Sequence, residues 1–463
     1  MNKVYRRPRP TPKSTLKPHI CVVEPSNQDN EPIIVEGYDD APTIIEEPEA
    51  ILSKAVASWF VRKDNRFYSV DQPNSAVSAA DIHRICLDRF GARFTGITLE
   101  PELFKAVFRK TIDTKHNDRE QTIPVWDGRC VCRPDVRQRV IWGDGSVSIN
   151  SWKIPQYRLS NVTEADMGMF DEFLGRIFPL EGDRDMFKDW LSWSLQNEGD
   201  KPAWAPFLYS RTKGTGKSTL CELVSLLFGQ ENSITQNSVA RLTSRFNMPI
   251  LQSKLVISED LQLRPDSVQG NTLKTYITER QTSSEVKGRE IERVTQCCCF
   301  LFTSNHLPLW IEADDRRYYV IDVGHSGHAS GPDAEEFGEF IAGLKTYMGD
   351  PDNIARLYNA LMRHKQANSF NPNALNISKL ESPLMRQIMG ASREVQFERL
   401  EELLKARGVF AIPLSELSDL FTQDLRENPN RIRYMMPELG WVNESAKWGG
   451  VDYRRAIWVH KDY

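Results

Sequence analysis

Long apolar runs are missing from this 463-residue chain: no stretch of 18 or more apolar residues occurs, so no membrane-spanning helix is expected. The first twenty residues, MNKVYRRPRPTPKSTLKPHI, are basic but lack the apolar core of a signal peptide. A cytoplasmic protein is the resulting expectation. Cysteine is also sparse, with eight residues in all, too few in a chain this long for a disulfide framework. Cys130 and Cys132 flank one residue and Cys297, Cys298 and Cys299 are consecutive; neither pattern has the paired two-residue spacing of a structural zinc site. They read instead as small buried apolar residues in strands. Nor is there a strong net charge. A formal value of −4 neither supports nor excludes nucleic-acid binding, so the local placement of charge matters more.

What is present is an ordinary globular balance, 40% hydrophobic and 26% charged, in a chain long enough for two or three domains. Residues 1–50 form a Pro- and Lys/Arg-rich segment followed by an acidic one, Glu24 to Glu49, without Lys or Arg. Such a composition cannot bury enough apolar surface to fold alone, and a disordered arm is expected. Residues 51–200 read as a mixed α/β region. AVASWFVRKDNRFYSVD suggests a helix running into a strand, and AADIHRICLDRFGARF an amphipathic helix. WDGRCVCRPDVRQRVIWGDGSVSINSWKIP suggests short strands turning at Asp127-Gly128 and Asp144-Gly145. Apolar positions at helical spacing over 164–178 and 182–197 close this region as a helical collar. Residues 201–330 alternate apolar strands with helices, the pattern of an α/β nucleotide-binding core, and 331–370 form a helical extension. In 371–463, three helices (SREVQFERLEELLKARG, PLSELSDLF, NRIRYMMPELG) precede two strands (WVNESA and RAIWVH), which suggests a winged helix.

The strongest motif is APFLYSRTKGTGKSTLCELVSLLFG, residues 205–229. An apolar strand leads into a loop carrying Gly214, Thr215, Gly216, Lys217, Ser218 and Thr219, which opens onto an apolar helix. A Gly/Lys turn before a helix is common by itself; the strand and helix on either side are what a phosphate loop requires. Glycines let backbone N–H groups wrap phosphates, and the helix N-terminus places partial positive charge behind them. Lys217 would reach the β- and γ-phosphates of ATP and the Ser218 hydroxyl would ligate Mg²⁺. Arg211 stands where the motif's first glycine would fall, a departure in the loop's shape.

Three further strands end in chemistry. KLVISEDLQ (254–262) closes on Glu259 and Asp260, carboxylates suited to holding the metal and orienting the attacking water; either order of roles is open. CCCFLFTSNHLP (297–308) ends in Thr303, Ser304 and Asn305, and a neutral amide there can sense the γ-phosphate without adding negative charge. EADDRRYYVIDV (312–323) carries Arg316 and Arg317, either of which could stabilise a transferring phosphoryl group of a neighbouring subunit; a surface Asp/Arg cluster is the plainer alternative. Between them, LKTYITERQTSSEVKGREIERVTQC (273–297) reads as a helix, then a hairpin turning at Lys287-Gly288-Arg289. Its basic tip is equally an ordinary turn or a contact to a nucleic-acid backbone.

In their order, and with Arg316 only 99 positions after Lys217, these motifs resemble the superfamily 3 helicases of the AAA+ class. More narrowly the chain is similar to the helicase part of phage and plasmid primase–helicases, the poxvirus-D5-like and deep-sea-phage-polymerase-like group. SINSWKIPQYR, with Asn150 and Trp152, matches that group's Asn-x-Trp segment, and TSRFN (243–247) is close in style. The resemblance covers about residues 125–325. It implies Lys217 and Ser218 on ATP and Mg²⁺, with Glu259 as a second metal ligand, and Glu259 and Asp260 in hydrolysis. It further implies Asn305 as sensor, Lys287 with Arg289 on single-stranded or forked DNA, and Arg316 as the finger with Arg317 in reserve. It also implies a hexameric ring in a bacterial host cytoplasm, served by a separate primase or polymerase, since only about 150 residues precede the matching region and no paired-Asp strand motif is found.

The expected fold is therefore α/β: a P-loop AAA+ core with a helical N-terminal region and a C-terminal winged helix. The expected activity is ATP-dependent DNA unwinding in replication. A non-unwinding AAA+ DNA-binding initiator or switch is the second reading. A small-molecule kinase, third, leaves Arg316 and the hairpin without a role.

Overall fold

The computed structural model describes residues 48–93, 109, 111, 122–244, 248–263, 267–284, 292–311, 315–324, 328, 331–376, 382–425, 429–447 and 453–462. The basic/acidic arm expected over 1–50 lies outside them but for its last three residues. Helix α1 (Pro48–Trp59) runs directly into strand β1 (Phe60–Lys63), which pairs antiparallel with β2 (Arg66–Ser69) and, through it, with β3 (Ala76–Val77). The hairpin turn uses Asp64 and Asn65, both at positive φ, as their short polar side chains permit. Helix α2 (Ala79–Arg93) follows.

A second small sheet, in the order β4 (Trp126–Val131), β6 (Val147–Asn150), β5 (Val140–Trp142), comes next. Asp144-Gly145 turns the chain between β5 and β6 as expected. Asp127-Gly128 does not: both residues lie inside β4, where the register slips between Trp126 and Cys130 and Gly128 takes φ 88°. The glycine serves a bulge, not a turn. Asn150 is fully buried and staples the 133–138 loop, its amide donating to the carbonyls of Arg133 and Val136 at 2.9 Å each and accepting from Arg133 N–H at 3.0 Å.

The central feature is a five-stranded parallel sheet in the order β13 (Tyr318–Asp322), β7 (Ala205–Tyr209), β12 (Cys299–Ser304), β9 (Leu255–Ser258), β8 (Ser233–Thr235). Its strands read as continuous apolar runs because both faces are covered. Leu208, Ile257, Leu301 and Ile321 face one layer and Phe207, Val256, Phe300, Phe302 and Val320 the other, the period-two alternation of a strand. The first layer is built by α3 (Gly168–Ile177), α4 (Glu181–Gln196), α5 (Lys217–Phe228), α7 (Ala334–Met348) and α8 (Pro351–Arg363). On the second face, α6 (Val268–Thr278) and the first turns of α9 (Pro383–Arg407) pack through Leu273, Tyr276, Ile277, Leu384, Met385 and Ile388.

Two consequences bear on domain organisation. Helices α3 and α4 share one core with the parallel sheet, through Phe170, Phe173, Phe187 and Trp190, so packing does not divide near residue 200. Helix α9 starts at Pro383 behind an Ser382 N-cap, earlier than the periodicity suggests, and spans two cores; Leu400 and Leu404 join Ile412, Phe421, Met436, Trp441 and Trp458. That last core holds β14 (Ala411–Pro413), α10 (Leu414–Asp419), α11 (Ile432–Glu438), β15 (Trp441–Ala446) and β16 (Arg455–His460), with the strands antiparallel in the order β14-β16-β15. Strand β14 is three residues long, too short to carry a pattern. Among the described residues no helix is long and apolar enough to cross a membrane.

Asp183 on α4 faces β13, where the Tyr319 phenol donates to its Oδ1 at 2.6 Å while its other carboxylate oxygen is buried without a partner. Burial raises its pKa to about 6, offset in part by the Tyr319 hydrogen bond. A folded pKa above the ordinary carboxylate value means that stability from this group is full below about pH 4 and is lost as pH rises through 6. Over that window the wild type should lose roughly 2–3 kcal/mol that Asp183→Asn does not. Urea midpoints at pH 4.5 and pH 8 check this; a variant much less stable than the wild type at pH 8 would show that the ionised carboxylate is favourable.

Candidate functional site

Because the five strands are parallel, their carboxyl ends share one edge, and the loops there converge. Strand β7 ends at Tyr209 and the chain passes through 210–216 into α5. Gly214 and Gly216 take φ 74° and 90°, left-handed values that favour glycine. Arg211 is exposed and is not among the residues at positive φ, so this loop needs no glycine there. Leu220 N–H bonds to the Gly216 carbonyl at 2.9 Å, so α5 starts from the loop itself and its first N–H groups point into it. The side chain of Thr215 is buried and faces inward.

Lys217 is largely buried, with its ammonium donating to Asn305 Oδ1 at 2.8 Å. Asn305 in turn donates through Nδ2 to Asp260 Oδ1 at 3.2 Å. Three residues from three strand ends therefore form one relay. Among the described residues Lys217 has a neutral amide, not a carboxylate, as its bonded partner. Desolvation holds its pKa below the ordinary lysine value, opposed by the charge of Asp260. A buried cation whose bonded partner among the described residues is a neutral amide suits an anionic ligand. Asp260 sits at φ 53°, a strained conformation that Asp tolerates better than most residues. It is held there by Leu261 N–H bonding to the Thr303 carbonyl at 2.9 Å. Glu259 is fixed differently: its N–H donates to Asn237 Oδ1 at 3.0 Å, just beyond β8.

These groups line a cavity of about 410 Å³ together with Ser218, Thr219, Thr303 and two apolar side chains of α7, Phe337 and Ile341. A triphosphate with its metal fits the chemistry of one wall, which offers loop N–H groups, an ammonium, a hydroxyl and two carboxylates. Another cavity, of about 430 Å³ between Tyr157, Leu226, Met348 and Ile354, has no such convergence of charged groups.

The other sequence candidates lie elsewhere. Arg316 and Arg317 precede β13, whose first residue pairs with Ala205 at the start of β7 and whose last pairs with Tyr209 beside the loop. At about 3.3 Å per residue the arginines stand on the order of 15–20 Å from the loop, off the opposite edge of the sheet. Arg316 is exposed. Arg317 is bound: its N–H and Nη1 reach Asp315 Oδ1 at 3.0 and 3.3 Å. Strands β10 (Gln281–Ser284) and β11 (Glu292–Thr295) pair antiparallel from Gln281–Thr295 to Ser284–Glu292. Lys287 and Arg289 at the tip they frame lie outside the described residues.

Sequence reading missed Asn237, Phe337 and Gly324. Only the last had a signal, as the glycine ending an apolar strand. A Cβ at Gly324, which has φ 67°, would lie 2.4 Å from Thr215 Cβ; β13 can approach the loop only because this residue has no side chain.

A family model described as a family of unknown function (DUF5906) matches residues 208–317, a span that contains Lys217, Glu259, Asp260, Asn305 and Arg316. No curated protein matches the chain. Among solved structures, the apo form of the NrS-1 C-terminal region is similar, at 18% identity and a TM-score of 0.51, over 89% of this chain and 100% of that one. A second apo form of the same region aligns at 18% identity with a TM-score of 0.49 over the same shares. The likeness is one of fold.

Gly324→Ala should lower stability by about 2–4 kcal/mol, the range for overpacking with added backbone strain. Adding Thr215→Gly should recover at least about 1 kcal/mol of that loss if the Cβ contact is the cause. Urea unfolding of both single variants and the double variant measures the coupling; strict additivity would rule the contact out.

Proposed function

We propose that this chain is an ATP-dependent DNA helicase of the superfamily 3 AAA+ class, acting in phage or plasmid replication and working as a hexameric ring on single-stranded or forked DNA. The observation that carries this reading is the Lys217–Asn305–Asp260 relay at the mouth of a glycine loop and helix N-terminus. It joins a phosphate-binding cation, a neutral sensor and an acid from three neighbouring strand ends. The parallel sheet supports a P-loop core, and the fold likeness to the NrS-1 C-terminal region supports the phage primase–helicase group.

Each residue then has a task. The N–H groups of 214–219 and Lys217 hold the β- and γ-phosphates of ATP. The Ser218 hydroxyl and the Glu259 carboxylate would hold Mg²⁺, which supplies charge neutralisation on the phosphates. Asp260, already oriented by Asn305, accepts the proton of the attacking water. Asn305 bonds whichever of the γ-phosphate or that water is present, and so reports nucleotide state. Phe337 and Ile341 form an apolar wall against the nucleoside. Arg316 is exposed and too far to serve its own loop, which fits a finger acting on the next subunit's nucleotide; Arg317 is engaged by Asp315 and holds the turn. Lys287 and Arg289, at the hairpin tip, contact the DNA backbone.

The C-terminal unit runs α9, β14, α10, α11, β15, β16, an order that supports the reading as a winged helix. Its exposed Arg433 stacks on Tyr434 at 4.6 Å and Arg455 on Tyr453 at 4.9 Å. Two cationic–aromatic pairs of this kind favour a second reading, a non-unwinding AAA+ switch that binds duplex DNA.

ATP hydrolysis with and without single-stranded DNA, beside unwinding of a forked duplex, separates the readings. The helicase should show DNA-stimulated hydrolysis and unwinding, both lowered about 100-fold or more by Lys217→Ala. Lys287→Ala should keep hydrolysis within about threefold while losing unwinding. Hydrolysis with tight binding to one duplex sequence and no unwinding would move the assignment to the switch.

A further inference from the structure

Three consecutive cysteines lie between β11 and the body of β12, and each packs in a different place. Cys299 joins the core on one face of the parallel sheet and Cys298 the core on the other. Cys297 belongs to neither; it sits in a small buried cluster with Cys132 and Trp152. Its sulfur lies 3.6 Å from that of Cys132, which is 165 positions away and directly follows β4. Two thiols from the small sheet and the parallel sheet are therefore in contact.

Hydrogen bonds on either side hold both sulfurs in place. Around Cys132, the Cys130 carbonyl accepts from Gln252 Nε2 and the Val131 carbonyl from Ser151 N–H, at 2.8 Å each, while Arg133 N–H donates to Asn150 Oδ1 at 3.0 Å. Around Cys297, Gln296 N–H bonds to the Arg280 carbonyl at 2.9 Å and Cys299 N–H to the Lys254 carbonyl at 2.8 Å. The fully buried Lys254 ammonium donates to the Cys297 carbonyl at 3.0 Å. A sulfur–sulfur bond is about 2.0 Å long, so bonding needs an approach of about 1.6 Å, within reach of small side-chain rotations. Thiols fixed at contact react as an intramolecular pair, at an effective concentration far above that of a thiol in solution. A hydrogen bond from the Cys132 thiol, helped by the Lys254 charge, holds the Cys297 thiol below its ordinary pKa against the effect of burial. Burial pushes Cys298 and Cys299 the other way. The thiolate, which is the reactive form, is thus favoured at Cys297 over its two neighbours.

We propose that Cys132 and Cys297 are a redox pair: a small peroxide oxidises them to a disulfide that staples the β4–β6–β5 sheet to the parallel sheet, and a dithiol releases it. The Cys297 thiolate attacks one peroxide oxygen, forming a sulfenic acid and expelling hydroxide, which takes up the proton that Cys297 lost. The Cys132 sulfur then attacks the Cys297 sulfur, and the sulfenic oxygen leaves as water with the Cys132 proton. The two thiols give up two electrons, and the peroxide is reduced to two waters. Cys132 and Cys297 are 5% and 3% exposed, and hydrogen peroxide is little larger than water, so slight local opening admits it. The bond spans 165 residues, which makes it a strong constraint on the unfolded chain.

The test treats the native full chain with a modest molar excess of hydrogen peroxide, blocks the remaining thiols in denaturant and maps peptides without reduction. The expected product is one cross-linked peptide pair carrying Cys132 and Cys297. Dithiothreitol should reverse it, and the oxidised protein should melt about 3 °C or more above the reduced one. In Cys132→Ala the same treatment should leave a sulfenic acid at Cys297, trapped by dimedone, with no rise in Tm. Both thiols still free in the treated wild type would overturn the proposal, as would cross-links that pair other cysteines as readily. So would a dimedone adduct at Cys297 as abundant in the wild type as in Cys132→Ala, because Cys132 would then not be the thiol that resolves the sulfenic acid.

Discussion

Five parallel strands impose the constraint on which everything else here depends. A parallel sheet cannot be closed by tight hairpins, so each strand is followed by a crossover, and both faces must be buried. The apolar runs of β7, β9, β12 and β13 meet that demand by sending alternate side chains into two cores. The same geometry gathers the carboxyl ends of β7, β8, β9 and β12 at one edge. Lys217, Asn237, Glu259, Asp260 and Asn305 are brought together there by strand order, with β12 standing between β7 and β9. The relay from Lys217 through Asn305 to Asp260 is a product of that placement.

The opposite edge is equally consequential. Arg316 leaves the sheet where β7 begins, and the loop leaves it where β7 ends. A single chain therefore cannot bring the two together without unfolding the sheet. On the proposed function this separation becomes the reason for a ring: each subunit offers a phosphate loop from one edge and an arginine from the other. Asp315, beside Arg316, is fully buried between the Arg317 guanidinium and the Lys274 ammonium.

Much of this was legible in the chain. The strand–loop–helix at 205–228, the acids after β9, the amide after β12 and the hairpin at 281–295 all announce themselves through local pattern: an apolar run, a polar tip and a turn. What stayed hidden depends on contacts between distant segments. Gly324 matters because β13 passes against Thr215, and Asn237 because β8 lies beside β9; neither neighbour is near in sequence. Asp315 looked like one acid in a surface cluster and is in fact fully buried. Asp127-Gly128 carried a turn signature that the sheet overrode with a bulge, since a glycine at positive φ serves both. The three-residue β14 had no pattern to read. Helices α3 and α4 were visible as helices, but their place in the core of the parallel sheet, with Phe173 and Ile177 beside Gly216, was not.

The most direct test of the central claim mixes two inactive proteins. On the proposed function, Lys217→Ala and Arg316→Ala each disable one half of a site shared between subunits. If the site is shared, their mixture contains interfaces that pair an intact loop with an intact arginine, and DNA-stimulated ATP hydrolysis should return to roughly a tenth or more of the wild-type rate. A mixture that stays as inactive as its components, while wild-type protein mixed with itself remains active, would contradict the account.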